Sequence, residues 1–283
     1  MTEPRTIIPQ NISVIIPVKD NQAGIHRFLV SFFLTQIPDN YPKELIIVDN
    51  NSAVPVVIPE GFLNRGLSIE NYECKKIGPA AARNIGAKNA RGQWLLFVDS
   101  DCIPTQSMVS GYLRSSYDAI GYQGFVGALG NDYVSRYYES QQIHLPPSKP
   151  DGSPKYLVTA NALVLKEVFD SLGGFNEQFT MAGGEDIELA IRLAEEGQLS
   201  YARESKIIHD FNDGLSGFVK RFIRYGKGNR LAQQKLEIPL YPLPFRPKNR
   251  KVLLNYFFAF VQWICLSLGF LFKSIELMIK RRQ

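Results

Sequence analysis

Short apolar runs alternate with helical segments over the first hundred residues, and this alternation is what most limits the folds open to the chain. Residues 12–17, 45–48 and 94–98 are rich in branched or aromatic side chains and have the length of buried strands. Between them, residues 23–36 repeat apolar side chains at helical spacing, and the alanine-rich residues 79–90 carry a proline in the first turn. We expect a mainly parallel sheet with helices on both faces.

Polar residues follow these predicted strands. Asp49 comes directly after the second run, and Asp99, Ser100 and Asp101 come directly after the third. In parallel sheets, ligands bind beyond the carboxyl ends of the strands, and two carboxylates placed there can hold a divalent cation against a phosphate. An Asp-x-Asp string is also common in turns, so the prediction of a cation site depends on its position after a buried strand.

The alternation of strand and helix segments is less regular after residue 104. We expect strands at 124–129 and 157–165, with a helix at 132–142 between them. Proline and glycine accumulate at 145–154, which predicts a solvated loop.

Another helix is predicted to begin after Gly183 and Gly184 and to end near residue 196. Its first turn carries Glu185 and Asp186, where the helix dipole stabilises negative charge. That position alone explains two acidic residues, so a catalytic role for them needs support from elsewhere in the chain.

The positive charge of the chain is concentrated in its last quarter. Residues 1–213 contain 18 Lys and Arg against 25 Asp and Glu, whereas residues 214–283 contain 14 against 2. No nucleic-acid recognition signature accompanies the basic residues, and an anionic membrane surface suits them better. Three widely spaced cysteines and a start without an apolar stretch predict a protein that faces the reducing cytosol.

The C-terminal quarter divides into three segments. Residues 214–236 predict a basic amphipathic helix, which either packs on the preceding domain or contacts a membrane. Residues 237–251 are a proline-rich basic linker, and residues 252–272 are 21 residues without a charge, about the span of a bilayer core. A full span, an interfacial helix and a helix buried on the soluble domain all remain open. The predicted organisation is a catalytic domain at residues 1–213, which divides into halves at 1–103 and 104–213. The amphipathic helix at 214–236, the linker at 237–251 and a membrane-associated segment at 252–283 follow it.

Six strings in the correct order resemble family 2 glycosyltransferases of the GT-A fold. They are VIIP at 14–17, IVDNNS at 47–52, AARNIG at 81–86, FVDSD at 97–101, GGF at 173–175 and GED at 184–186. The resemblance covers roughly residues 11–210. It implies a nucleotide-sugar pocket in the first half and an acceptor site in the second.

The resemblance also suggests roles for single residues of the donor half. The predicted nucleotide-sugar ligands are Pro17, Val18, Asp49, Arg83, Asp99, Ser100 and Asp101. Pro17 and Val18 would line the base and ribose, and Asp49 would bind the base. Arg83 would approach the diphosphate.

Asp99 and Asp101 would hold Mn²⁺ or Mg²⁺ together with that diphosphate. His209 resembles a histidine that completes the metal shell in some members of this fold, although a histidine hydrogen-bonded at a strand end is an equal alternative. His144 is expected to be structural or solvated.

In the second half, Asp186 resembles the general base that takes the proton of an acceptor hydroxyl. Glu185 would orient the acceptor. The predicted function is an inverting, metal-dependent transfer of a sugar from a nucleotide donor to a saccharide or polyprenyl-linked acceptor. We expect it to serve cell-envelope or exopolysaccharide synthesis at the cytoplasmic face of the inner membrane, with membrane lipids but no nucleic acid as partners.

Two other functions are compatible with such a sheet. A sugar nucleotidyltransferase also places carboxylates on metal and phosphate, but it would normally carry a glycine-rich basic loop after the first strand, and residues 17–22 contain one Lys and no glycine. A non-catalytic nucleotide-sugar-binding module would keep the fold without needing Asp99, Asp101 and Asp186.

Overall fold

In a computed structural model of the chain, the structure describes residues 6–115, 119–211 and 214–280. The described residues form one sheet of eight strands in the order β3-β2-β1-β4-β7-β6-β8-β5. The strands are β1 Ile12–Val18, β2 Glu44–Asp49, β3 Ser68–Glu73, β4 Trp94–Val98, β5 Cys102–Pro104, β6 Gly121–Leu129, β7 Asn161–Leu165 and β8 Leu199–Asp210.

Helices pack against this sheet, and local sequence explains where several of them begin. They are α1 Gln22–Thr35, α2 Pro79–Asn89, α3 Tyr133–Gln141, α4 Lys166–Ser171, α5 Glu185–Glu196, α6 Gly214–Leu236 and α7 Leu253–Lys280. The side chain of Asn21 accepts a hydrogen bond from the backbone of α1, and Asp132 does the same for α3. Proline occupies the first turn of α2, where no backbone donor is needed.

The first half of the sheet is parallel, as the alternation predicts. Strands β3, β2, β1 and β4 run parallel to one another, and β1 and β4 are buried along their whole length. From β1, the chain places β2 and β3 on one side of the sheet and then β4 on the other side. Open α/β sheets bind ligands in the crevice at such a reversal of strand order. The fold prediction is confirmed for this half.

The second half mixes directions. β7 is antiparallel to both β4 and β6, and β5 is antiparallel to β8. β7 begins at Asn161 and not at residue 157, because residues 157–160 form a turn closed by a hydrogen bond from Asn161 N to Val158 O at 3.2 Å. The pairing of β5 with β8 places Cys102 opposite His209, and so brings the end of Asp99–Ser100–Asp101 to a strand a hundred residues later.

A second apolar core joins the C-terminal helices to the rest of the molecule. Its buried members come from α3, α6, α7 and the residue after β8, and they are Val134, Tyr137, Tyr138, Phe211, Phe218, Phe222, Phe258, Ala259 and Cys265. Helices α6 and α7 cross closely, because a Cβ on Gly226 would overlap the carbonyl oxygen of Leu266. Residues 214–236 therefore pack against the rest of the molecule through this core.

Candidate active site

A cavity of about 530 Å³ opens beyond the carboxyl ends of β1 and β4. Seven of the predicted site residues line it, namely Pro17, Val18, Arg83, Asp99, Ser100, Asp101 and His209. Three others, Asp49, Glu185 and Asp186, are not part of its lining. The structure therefore brings most of the predicted donor side together, from segments almost two hundred residues apart.

Arg83 is held between two carboxylates. Its Nη2 lies 2.7 Å from Oδ1 of Asp99 and its Nη1 lies 2.9 Å from Oε1 of Glu185, and the side chain is almost fully buried. Burial alone would lower the pKa of Arg83, but the two carboxylates outweigh it and raise the pKa above its usual value. The charge of this guanidinium is thus compensated within the protein.

Glu185 is held by other groups of the protein. One carboxylate oxygen binds Arg83, and the other accepts a hydrogen bond from Gly183 N at 2.6 Å. The residue is only 2% exposed, and its contact with an acceptor stays a prediction. Its observed role is to position Arg83 and the loop that begins α5.

Asp49 likewise serves its own loop. Its two oxygens accept hydrogen bonds from Ser52 N at 3.0 Å and Val56 N at 2.9 Å. Burial raises the pKa of this carboxyl, but the hydrogen bonds outweigh burial and leave the pKa below its usual value. Its neighbour Asn50 lines the cavity, while contact of Asp49 with a base stays a prediction.

Asp101 and His209 form a pair suited to a divalent metal. Nδ1 of His209 lies 3.1 Å from the carbonyl oxygen of Asp210, which assigns the ring proton to Nδ1. Nε2 of His209 lies 3.2 Å from Oδ1 of Asp101. A carboxylate oxygen and an imidazole nitrogen that approach each other in this way can bind the same cation, and the combination suits Mn²⁺.

Cys102 lies beside that pair, within 4.8 Å of its ligand atoms. Burial raises the pKa of its thiol well above the usual value. A protonated thiol is a poor ligand for a hard cation, so the residues that fit the metal are Asp101 and His209, with Asp99 beside them.

Asp186 lies half-buried in the first turn of α5. Its carboxylate accepts a hydrogen bond from Ile187 N at 2.9 Å. Burial, followed by the charge of Glu185, raises the pKa of Asp186 to about 7. A carboxyl with that pKa can take a proton at neutral pH, which is what a general base must do.

The cavity wall also includes residues that the sequence patterns did not assign to a site, among them His144, Arg221, Arg224 and Tyr225. His144 is buried, with its ring centroid 4.6 Å from that of His209. Burial, together with the charges of His209, Arg221 and Arg224, lowers the pKa of His144 well below its usual value, so the ring is neutral. Both arginines come from α6 and face the cavity, with Arg221 buried and Arg224 partly buried.

A family model described as glycosyl transferase family 2 matches residues 13–173, more than half of the 283 residues. The chain belongs to glycosyltransferase family 2. A second model, described as the N-terminal domain of galactosyltransferase, matches residues 142–213. The chain is thus a member of a glycosyltransferase family, which argues against the sugar nucleotidyltransferase alternative.

Curated relatives of the glycosyltransferase are longer than this chain. A pre-mycofactocin glycosyltransferase from Mycobacterium tuberculosis is 27% identical over 272 residues, which cover 92% of this chain and 53% of that protein. The O-antigen biosynthesis protein RfbC from Myxococcus xanthus is 29% identical over 224 residues, which cover 70% of this chain and 17% of that protein. The chain thus spans about half the length of the first relative and less than a fifth of the second.

Solved structures share the fold of this glycosyltransferase. The mannosyltransferase PcManGT from Pyrobaculum calidifontis, in complex with GDP-Man and Mn²⁺, superposes with a TM-score of 0.57 at 15% identity, covering 94% of this chain and 75% of that one. TarS from S. aureus in complex with UDP gives a TM-score of 0.55 at 16% identity, covering 80% and 70%. These similarities establish the GT-A fold.

Proposed function

We propose that this glycosyltransferase is an inverting, metal-dependent enzyme that moves a sugar from a nucleotide-sugar donor to a saccharide or polyprenyl-linked acceptor. The observation that carries the proposal is the close approach of Asp101 Oδ1 and His209 Nε2 at the wall of a cavity beyond β1 and β4. Structures of the same fold that contain GDP-Man with Mn²⁺, or UDP, support a nucleotide donor.

The donor would lie along the cavity with its base and ribose against Pro17 and Val18. Asp99, Asp101 and His209 would hold the divalent metal, which when bound offsets negative charge on the diphosphate. Arg83 fixes the orientation of Asp99 through the 2.7 Å ion pair, so this carboxylate is already in place before the donor binds.

Asp186 would act on the acceptor. The acceptor oxygen forms a bond to the anomeric carbon, the bond from that carbon to the phosphate oxygen breaks, and its electron pair stays on the departing diphosphate. The hydroxyl proton passes to the Asp186 carboxylate. Attack opposite the leaving group inverts the anomeric centre. Proton transfer to a positioned base accelerates such a step by about 10²–10⁴-fold.

Metal dependence is the direct test of this proposal. A panel of nucleotide sugars incubated with Mn²⁺ will show transfer or slow hydrolysis of one donor, and excess EDTA will abolish it. Asp101→Asn will lower the affinity for Mn²⁺ by about 10-fold or more, because it removes a charged ligand. Asp39→Asn, which changes an exposed carboxylate outside the cavity, is the control. Full activity in EDTA would contradict the proposal.

We also propose that α7 lies in the plane of the membrane at its cytoplasmic face. Among the described residues, α7 is the one helix long and apolar enough to cross a bilayer. However, Gln262, ten residues into α7, accepts a hydrogen bond from Tyr137 OH of α3 at 2.7 Å. If α7 crossed the bilayer, this contact would draw α3 into the hydrocarbon region. The hydrogen bond therefore supports an interfacial position for α7.

The free face of α7 suits that position. Exposed apolar side chains lie three or four residues apart in each half of the helix, at Leu253, Phe257 and Phe260 and again at Leu268, Leu271, Ile275 and Met278. Exposed Arg246, Lys248, Arg250 and Lys251 precede the helix and complement anionic lipid headgroups. The basic residues at 281–282 lie outside the described residues. The name of the relative RfbC, an O-antigen biosynthesis protein, supports a role in envelope polysaccharide synthesis.

Flotation with vesicles containing anionic lipid tests the membrane proposal. The chain will float with the vesicles, and the pair Phe260→Glu and Leu271→Glu will leave most of it unbound, because each carboxylate would enter the acyl boundary. Val54→Glu places the same charge on an apolar side chain that is 79% exposed in the sheet domain, and should float normally.

Topology is read separately in a bacterial host. A C-terminal tag on the full chain will resist protease added to intact spheroplasts and will be digested in inverted membrane vesicles. Digestion from the periplasmic side would show a crossing helix and contradict the in-plane position.

A further inference from the structure

We propose that Arg224 of α6 binds the diphosphate of the donor and stabilises it as it leaves, which makes the C-terminal helix part of the catalytic site. This inference rests on the proposed function, since it requires a nucleotide-diphosphate donor. It assigns a binding role to a segment that the sequence pattern presents as a membrane-contact or packing helix.

Arg224 lies on the same cavity as the proposed metal ligands. The wall that includes Asp101 and His209 continues through His144 to Arg224 and Tyr225. The rings of His144 and His209 are 4.6 Å apart, and the hydroxyl of Tyr225 lies 3.5 Å from Nε2 of His144. The side chains therefore form one continuous polar wall that ends in the guanidinium of Arg224.

The charges along this wall leave Arg224 suited to an anion. Arg83 is the arginine that the sequence predicts to approach the diphosphate, and Asp99 and Glu185 already compensate its charge. By contrast, no carboxylate in the described parts of the chain forms an ion pair with Arg224, and its buried Nε has no hydrogen-bond partner there. A partly desolvated guanidinium with free donors binds phosphate oxygens strongly, and can do so with two hydrogen bonds at once.

The packing of α6 holds Arg224 in position. One turn further along the helix, a Cβ on Gly228 would overlap the carbonyl oxygen of Gly183, so α6 lies directly against the loop that begins α5. The neighbouring residues of that loop, Thr180, Met181 and Ala182, also line the cavity. Because α6 is fixed against this loop, the backbone that carries Arg224 is held beside the cavity before the donor binds.

Stabilisation by Arg224 is expected to be larger at the transition state than in the bound donor. When the bond from the anomeric carbon to the phosphate oxygen breaks, the electron pair adds negative charge to the diphosphate while the acceptor proton passes to Asp186. A guanidinium beside that diphosphate opposes the growing charge. Loss of one such donor lowers a catalytic rate by about 10²–10³-fold in comparable sites.

Nucleotide binding tests the inference without relying on activity. Calorimetric titrations use UDP, GDP, CDP and dTDP with the corresponding monophosphates, in Mn²⁺ and again in EDTA. For the nucleotide that binds the wild-type chain, Arg224→Ala and Arg224→Gln will lower diphosphate affinity by about 10-fold or more. Monophosphate affinity will change by less than about 3-fold, because the lost contact is to the second phosphate. The loss will persist in EDTA, since Arg224 does not act through the metal.

Lys220→Ala is the matched control, because it removes an exposed positive charge one turn earlier on the same helix. This variant will bind as the wild-type chain does. Wild-type diphosphate affinity in Arg224→Gln overturns the inference, and so does an equal loss for mono- and diphosphates, which would indicate general damage to the cavity. A wild-type chain that binds none of the nucleotides overturns the proposed function itself, and this inference with it.

Discussion

Asp186→Asn will lower the rate of sugar transfer by about 10²–10⁴-fold and leave nucleotide-sugar affinity nearly unchanged. Asparagine keeps the size of the side chain and its hydrogen bond from Ile187 N, but it cannot take the acceptor proton. Asp186 does not line the donor cavity, so donor binding has no reason to change. The measurement is steady-state transfer with a separate titration of the donor, and Glu195→Gln at the exposed end of α5 is the control. Collapse of donor affinity would place Asp186 in the donor site.

The pH dependence of the rate gives the same residue a second signature. Because the pKa of Asp186 is raised to about 7, the transfer rate of the wild-type enzyme will rise as pH increases through 7 and the base becomes ionised. The residual rate of Asp186→Asn will not show this increase through pH 7. A wild-type rate independent of pH between about 5.5 and 8 would contradict the assignment.

The raised pKa of Asp186 also affects stability, but in the opposite direction: the free energy of unfolding falls as pH rises, whereas the rate increases. The unfolded pKa of an aspartate is about 3.9, so between about pH 4 and pH 7 the unfolded chain loses a proton that the folded chain keeps. Folding is therefore weakened as pH rises through that window, and the penalty stays constant above it. Thermal unfolding of the free enzyme at pH 8 will show Asp186→Asn to be more stable than the wild-type chain.

Arg83→Met will produce the largest loss of stability, with the free energy of unfolding lowered by about 3–5 kcal/mol. Methionine approximates the length of the stem but removes the charge that compensates Asp99 and Glu185. Glu185 is 2% exposed and cannot turn to solvent. Urea unfolding measures the change, and donor affinity should fall with it, because Asp99 loses the ion pair that orients it.

Two further variants separate this explanation from a simple loss of packing. Adding Glu185→Gln to Arg83→Met removes the uncompensated buried charge and should restore part of the stability. Arg114→Met breaks an ion pair whose partner, Glu204, is largely exposed, and should cost less than about 1 kcal/mol. Failure of the double variant to recover any stability would show that the ion pairs of Arg83 contribute little.

The first half of the fold could be predicted because its signals are local. Residues 94–98 form a buried strand by composition alone, and the strand end locates Asp99 and Asp101 without knowledge of any other segment. The resemblance to the family then supplied the order of the pieces. By contrast, the contact between Asp101 and His209 depends on the antiparallel pairing of β5 with β8, and no pattern within either strand specifies that partner.

Burial of charged side chains could not be predicted from local patterns. Glu185 and Asp186 look equivalent in the first turn of a helix, and the difference between them is that Glu185 faces Arg83, 102 residues earlier in the chain. Arg224 looked like part of a basic face directed to solvent or lipid. A helical pattern shows which side chains share a face, but a polar cavity and bulk water select the same residue types, so the pattern cannot distinguish them.

The shared core of α3, α6 and α7 limits how a detergent-free form of this enzyme can be prepared. Truncation before residue 214, the boundary that sequence composition suggests, would remove Arg224 and uncover Tyr138, which packs on Phe218 and Phe222. Truncation near residue 236 would keep those contacts but remove α7, which packs against Gly226 of α6. Polar substitutions on the outward face of α7, at positions such as Phe260 and Leu271, would instead reduce lipid affinity and keep every contact that positions the catalytic groups.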